Sequence, residues 1–112
     1  MDNYNLNSRV AYQKMTDASN EWSKWAEKVI ILDEGKKALF SKLFLKYKLE
    51  TKTVIEAEHK ARTDEEYTEI VKKYAEAEEQ LTKKRFHYNN IDRYVSLKQS
   101  ELKRDLALNN KV

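Results

Sequence analysis

Proline is absent from all 112 residues, cysteine is absent, and glycine occurs once, at Gly35. Proline and glycine are the residues that interrupt regular structure, so little in this chain forces a turn. Without cysteine there can be no disulfide and no thiolate metal site. One glycine is too few for a glycine-rich phosphate loop. No apolar run approaches the roughly 18 residues needed to span a bilayer. The start, Met1-Asp2-Asn3-Tyr4-Asn5, lacks the basic-then-apolar pattern of a signal peptide. No membrane partner is expected, and a cytoplasmic setting is.

What is present is charge and helical periodicity. Charged residues make up 37% of the chain and apolar residues 40%, which suits helices that bury one stripe and leave the rest in water. The net charge is only +3, but it is arranged in four blocks of alternating sign. Residues 1–35 carry four cations and six anions, and 36–55 carry six and one. Residues 56–79 carry four and nine, and 80–112 carry eight and three.

Apolar residues in the first half fall into two heptad columns, Met15, Trp22, Val29, Lys36, Leu43 and Ala18, Trp25, Leu32, Leu39, Lys46. Alternating three- and four-residue spacing is that of a coiled-coil seam. A second stripe runs beside it through Ala26, Ile30, Lys37, Phe40, Phe44 and Tyr47. This predicts a long helix over about 9–48, after a loose start over 1–8, with a possible break at the capping pair Thr16-Asp17. Thr53-Val54-Ile55-Glu56 and Thr63-Asp64-Glu65-Glu66 read as capping boxes. They predict a short helix over about 54–62 and a last helix over about 64–108, followed by a frayed tail. The last helix has the columns Tyr67, Tyr74, Leu81, Tyr88, Val95, Leu102 and Ile70, Ala77, Lys84, Ile91, Lys98, Asp105.

The fold class read from this pattern is all-α. Residues 1–112 form a single helical domain, in which two long helices joined by a short one make an antiparallel hairpin or coiled coil. Folding back opposes the +5 block to the −5 block, and so favours one orientation. Thin paired helices bury little, so a homo-oligomer is expected. The expected core or interface comprises Trp22, Trp25, Val29, Leu32, Leu39, Leu43, Tyr74, Leu81, Ile91 and Leu102. Gly35 lies mid-helix, either to permit a close crossing or by drift; it costs roughly 0.5–1 kcal/mol there.

The chemistry-bearing segment is Lys83-Lys84-Arg85-Phe86-His87-Tyr88-Asn89-Asn90-Ile91-Asp92-Arg93-Tyr94, extended by Lys98, Lys103 and Arg104. Cations neutralise phosphates, and flat rings stack on unpaired bases. Lys83, Lys84, Arg85, Arg93, Lys98 and Arg104 are the candidate phosphate contacts, and Phe86, Tyr88 and Tyr94 the candidate base platforms. Read blandly, the same cations are a solvated helix face, with Tyr88 and Ile91 in the seam. Lys36, Lys37, Lys42, Lys46, Lys48 and Lys52 form a second basic surface, expected to be neutralised by the acidic block. His59 and His87 stand alone, the serines lack a nucleophile motif, and the paired carboxylates sit on exposed helix surface. The chain is therefore read as a non-enzyme, with no cofactor and no metal.

The order Glu21-Trp22-Ser23-Lys24-Trp25-Ala26-Glu27-Lys28-Val29, Lys36-Lys37-Ala38-Leu39-Phe40, Glu56-Ala57-Glu58-His59-Lys60-Ala61-Arg62-Thr63 and Glu66-Tyr67 resembles small all-helical proteins of tailed-bacteriophage recombination and replication clusters. It is more distantly similar to the UvsY-type recombination mediators, whose pattern differs in length and in the C-terminal half. The resemblance implies an oligomer in the host cytoplasm that binds single-stranded DNA and helps load or exchange recombination proteins. Two other expectations stay open. One is a protein-interaction module, such as an anti-CRISPR-like inhibitor of a host nuclease, acting through Glu65, Glu66, Glu69, Glu76, Glu78 and Glu79. The other is a structural coiled-coil adaptor.

Overall fold

The computed structural model describes residues Ser8–Asn110. The fold is all-α. Helix α1 spans Ser8–Lys48, α2 spans Val54–Thr63 and α3 spans Glu65–Asn110, with no strand among the described residues. The break considered at Thr16-Asp17 does not occur, because α1 runs through it. The loose start, apart from Ser8, and the end of the tail, Lys111 and Val112, lie outside the described residues.

Hydroxyls and one carboxylate set the two joints. After α1, Thr51 donates its hydroxyl to the Tyr47 carbonyl at 2.9 Å. Thr53 then takes extended backbone, and its hydroxyl oxygen accepts the Glu56 N–H at 3.1 Å. This is the first half of the expected capping box. The second box is displaced by one residue. Thr63 is still helical and donates its hydroxyl back to the His59 carbonyl at 2.9 Å. Asp64 is the only break between α2 and α3; its φ is −63° and its ψ 138°, and its Oδ1 accepts the Glu66 N–H at 2.9 Å. An aspartate caps an N-terminus as well as a threonine does, and its charge suits the helix dipole.

The chain divides into two compact units. One is the continuous stretch Lys24–Leu81; the other combines the chain up to Ser23 with the chain from Thr82 onward. Within Lys24–Leu81 the long helices run antiparallel: Tyr47 bonds Asp64, Phe40 packs on Tyr67 with centroids 5.5 Å apart, and the Lys36 ammonium sits 4.2 Å above the Tyr74 ring. The α2 guanidinium of Arg62 lies 5.5 Å from the Phe40 ring, so all three helices meet at Phe40. In the other unit Trp22 tilts against Tyr88 at 5.2 Å, and Ala11 and Lys14 share a groove with His87, Ile91 and Val95.

The buried core is small-residued. Among the described residues, Leu43 and four alanines, Ala18, Ala57, Ala61 and Ala77, are the buried apolar residues. Among the expected core residues, Leu43 is buried, and Trp22, Trp25, Val29, Leu32, Leu39, Tyr74, Leu81 and Ile91 are half-buried. A half-buried side chain contributes less than the roughly 1.5–3 kcal/mol of a fully buried one. Leu102 is 58% exposed and lies outside the core of the described residues, which leaves it the interface role of the two expected. The groove places the first turns of α1 against 87–95, so α3 passes beyond Ser8 before it reaches Leu102. On the second stripe of α1, Ala26, Phe40, Phe44 and Tyr47 are half-buried, whereas Ile30 and Lys37 face water.

Candidate nucleic-acid interface

The basic segment occupies the C-terminal half of α3, where the seam sorts its residues into two sets. Lys84, Tyr88 and Lys98 sit in seam columns and are half-buried. Tyr88 is engaged with Trp22, and Lys98 pairs with Glu101 at 3.4 Å while lying 5.7 Å from the Tyr94 ring. A ring packed against another ring is a poor platform for a base, so Tyr88 belongs to the fold. Lys83, Arg85, Arg93 and Arg104 are exposed, Phe86 is 59% exposed and Tyr94 38%.

Helical spacing places Phe86, Arg93 and Arg104 on one outward line. Offsets of seven and eighteen residues bring each back within about 20° of the first, over roughly 27 Å of helix. Leu97, 59% exposed, falls on the same line. The sequence reading did not single it out, although its offset of eleven from Phe86 marks it. The surface is therefore a ridge in which a ring and a leucine alternate with guanidinium groups. Such a ridge can bind phosphates, and it offers one ring for stacking.

The second basic surface has a different local structure from the one expected. Lys37 reaches Asp33 at 3.1 Å and Glu34 at 3.9 Å, and Lys36 reaches Asp33 at 3.6 Å, all within α1. The Lys37 ammonium holds the Asp33 carboxyl below its ordinary range, and Asp33 in turn raises Lys37. Lys46 lies 5.2 Å from the Tyr47 ring and Lys48 lies 5.8 Å from Phe44. Glu65, Glu66 and Glu69 instead line an open groove with Leu32, Leu39 and Ile70, and form no ion pair among the described residues. The Tyr47 hydroxyl donates to Asp64, which raises the Tyr47 pKa. The same bond, with the Glu66 N–H, lowers that of Asp64. No group of three His, Asp or Glu side chains among the described residues is placed to hold a metal ion. No helix among them is long and apolar enough to cross a membrane.

The chain matches no protein-family model, no curated protein and no solved structure.

Proposed function

We propose that the protein is a non-enzymatic, oligomeric accessory protein that binds single-stranded DNA along the outward ridge of α3, in the setting of phage recombination that its sequence resembles. The observation that carries the reading is the ridge itself. Arg93 and Arg104 project from the helix in line with exposed Phe86 and Leu97, and exposed Arg85 stands about 100° around the helix from Phe86, with no need to disturb the seam. Guanidinium groups bind phosphates bidentately, and a ring accepts any base by stacking, so the recognition is general rather than sequence-specific.

Fluorescence anisotropy of a labelled oligonucleotide tests this across a salt series. Binding should weaken with salt, each phosphate contact adding about 0.7 to the slope of log K against log salt. Replacing Arg85, Arg93 and Arg104 with Glu should lower that slope by about 2 and leave helicity unchanged, since all three are exposed. Absence of any signal at micromolar protein in low salt would end the reading.

The carboxylates of Glu65, Glu66 and Glu69 favour a second reading, an interaction module that presents negative charge beside apolar Leu32 and Leu39. Recovery of one stoichiometric protein from host lysate, surviving nuclease and lost with Glu65→Lys and Glu69→Lys, would support it over the first.

A further inference from the structure

A second apolar repeat runs along α1, away from the seam. Ile31, Ala38 and Leu45 recur every seven residues. Ile31 is 62% exposed, Leu45 is 65% exposed, and Ala38 is exposed between them. Each stands one position before a residue of one seam column (Leu32, Leu39, Lys46), which turns it about 100° around the helix. Among the described residues no side chain shields them from water, although a heptad repeat is the spacing of a helix that expects a partner helix.

The charges flanking the stripe identify that partner. Glu34 precedes Ala38 by four residues and Lys42 follows it by four. If a second α1 lies antiparallel with its Ala38 over this one, Ile31 meets Leu45, Glu34 meets Lys42, and the reverse pairs form at the other end. Every contact is then made twice by a two-fold axis through Ala38. A parallel second copy would place Glu34 beside Glu34 and Lys42 beside Lys42, which costs energy. The small methyl at the axis lets the two backbones approach closely. Glu34 is open to such a partner, its side chain being 72% exposed and its contact with Lys37 long, at 3.9 Å.

We infer that α1 carries a homodimer interface, an antiparallel self-pairing centred on Ala38 with Ile31 and Leu45 as its apolar contacts and Glu34–Lys42 as its paired charges. The patch is self-complementary, as a two-fold interface must be. It lies within Lys24–Leu81, whereas the basic ridge lies beyond Thr82, so it stands or falls independently of DNA binding.

Sedimentation equilibrium on the full chain tests it. Wild type should show twice the chain mass of 13.4 kDa. Ala38→Glu should raise the dimer dissociation constant by roughly 30-fold or more, the effect of losing a central interface contact. Glu34→Lys and Lys42→Glu should each weaken the dimer, and the double variant Glu34→Lys/Lys42→Glu should restore it. All these positions are exposed, so circular dichroism should report unchanged helicity in every variant. A wild type that stays at the chain mass, an assembly indifferent to Ala38→Glu, or a double variant no better than the singles would each overturn the proposal. So would a complex whose second member is a different protein held by the same face.

Discussion

At Gly35 the sequence permits two opposite expectations, and the structure chooses between them. A glycine inside a helix costs roughly 0.5–1 kcal/mol relative to alanine, because the unfolded chain has more freedom to lose. It is retained usefully only if a methyl would collide with something. Its backbone is ordinary helix, without positive φ. A Cβ built there would lie 3.4 Å from Ile70 Cδ1. That is the near edge of ordinary contact, and the atom met is the terminal methyl of a flexible side chain, which can turn aside. The propensity gain therefore outweighs the crowding, and Gly35→Ala should stabilise by about 0.5–1 kcal/mol. With an unfolding entropy of about 2.1 cal/mol/K per residue, that is a rise in Tm of about 2–4 °C for a chain this long. Thermal melts at 222 nm, at one fixed protein concentration, would read it. Gly35→Leu drives further carbons into Ile70 and should lower Tm instead, by the roughly 1–3 kcal/mol of an overpacked contact. A fall in Tm for Gly35→Ala would refute the reasoning, because it would mean that the crossing depends on the absent methyl.

Two other perturbations follow from the packing and from the joint at Asp64. Ala61 has no exposed surface, so Ala61→Leu should cost about 1–3 kcal/mol in a urea titration, whereas Ile55→Ala, at a site 79% exposed, should change the midpoint little. For the Tyr47–Asp64 bond the sign runs both ways. Asp64 titrates below 3.8 when folded, so its share of stability is present above that pH and is lost as acid passes through the lower folded value. Tyr47 titrates above 10.0 when folded, so its share is present below that pH and is lost as base passes through the higher value. The stability difference between wild type and Tyr47→Phe should be widest between these limits and close at both ends. A difference that stays constant from acid to base would show that the bond contributes nothing.

The seam of α3 was the most legible part of the chain. From Tyr67 to Lys98 every residue of the two heptad columns is buried or half-buried, including Lys84 and Lys98, whose chemistry alone would have placed them in water. Periodicity outweighs residue type here because the partner helix covers whatever stands at that register. At Leu102 the register continues but the residue is 58% exposed, because it stands past the level of Ser8, where the described α1 begins. Sequence alone does not say how far a neighbouring helix extends. The charge blocks agree with the antiparallel hairpin, and Lys46 acts across it on Asp64, but the cross-helix pairing expected of them is only partial. Lys36 and Lys37 have Asp33 and Glu34 within a turn of the same helix, and a local partner costs less side-chain entropy than a distant one. The basic ridge was half legible. Phe86 and Tyr94 fell off the columns and are exposed, whereas Tyr88 sat in a column and at the same time in the basic segment. The α1 stripe of Ile31, Ala38 and Leu45 went unread because a stronger repeat lies one residue away.

The division of the chain also has a consequence for its synthesis. One unit is contiguous in sequence, while the other draws on both ends of the chain. A nascent polypeptide that has emerged only as far as Leu81 already holds every residue of the first unit and lacks the larger part of the second. Joining Ser23 to Thr82 across an unfolded intervening stretch costs more loop entropy than joining them once that stretch has folded. Translation thus lets Lys24–Leu81 assemble first, while the segment up to Ser23, already made, waits for the chain from Thr82 onward.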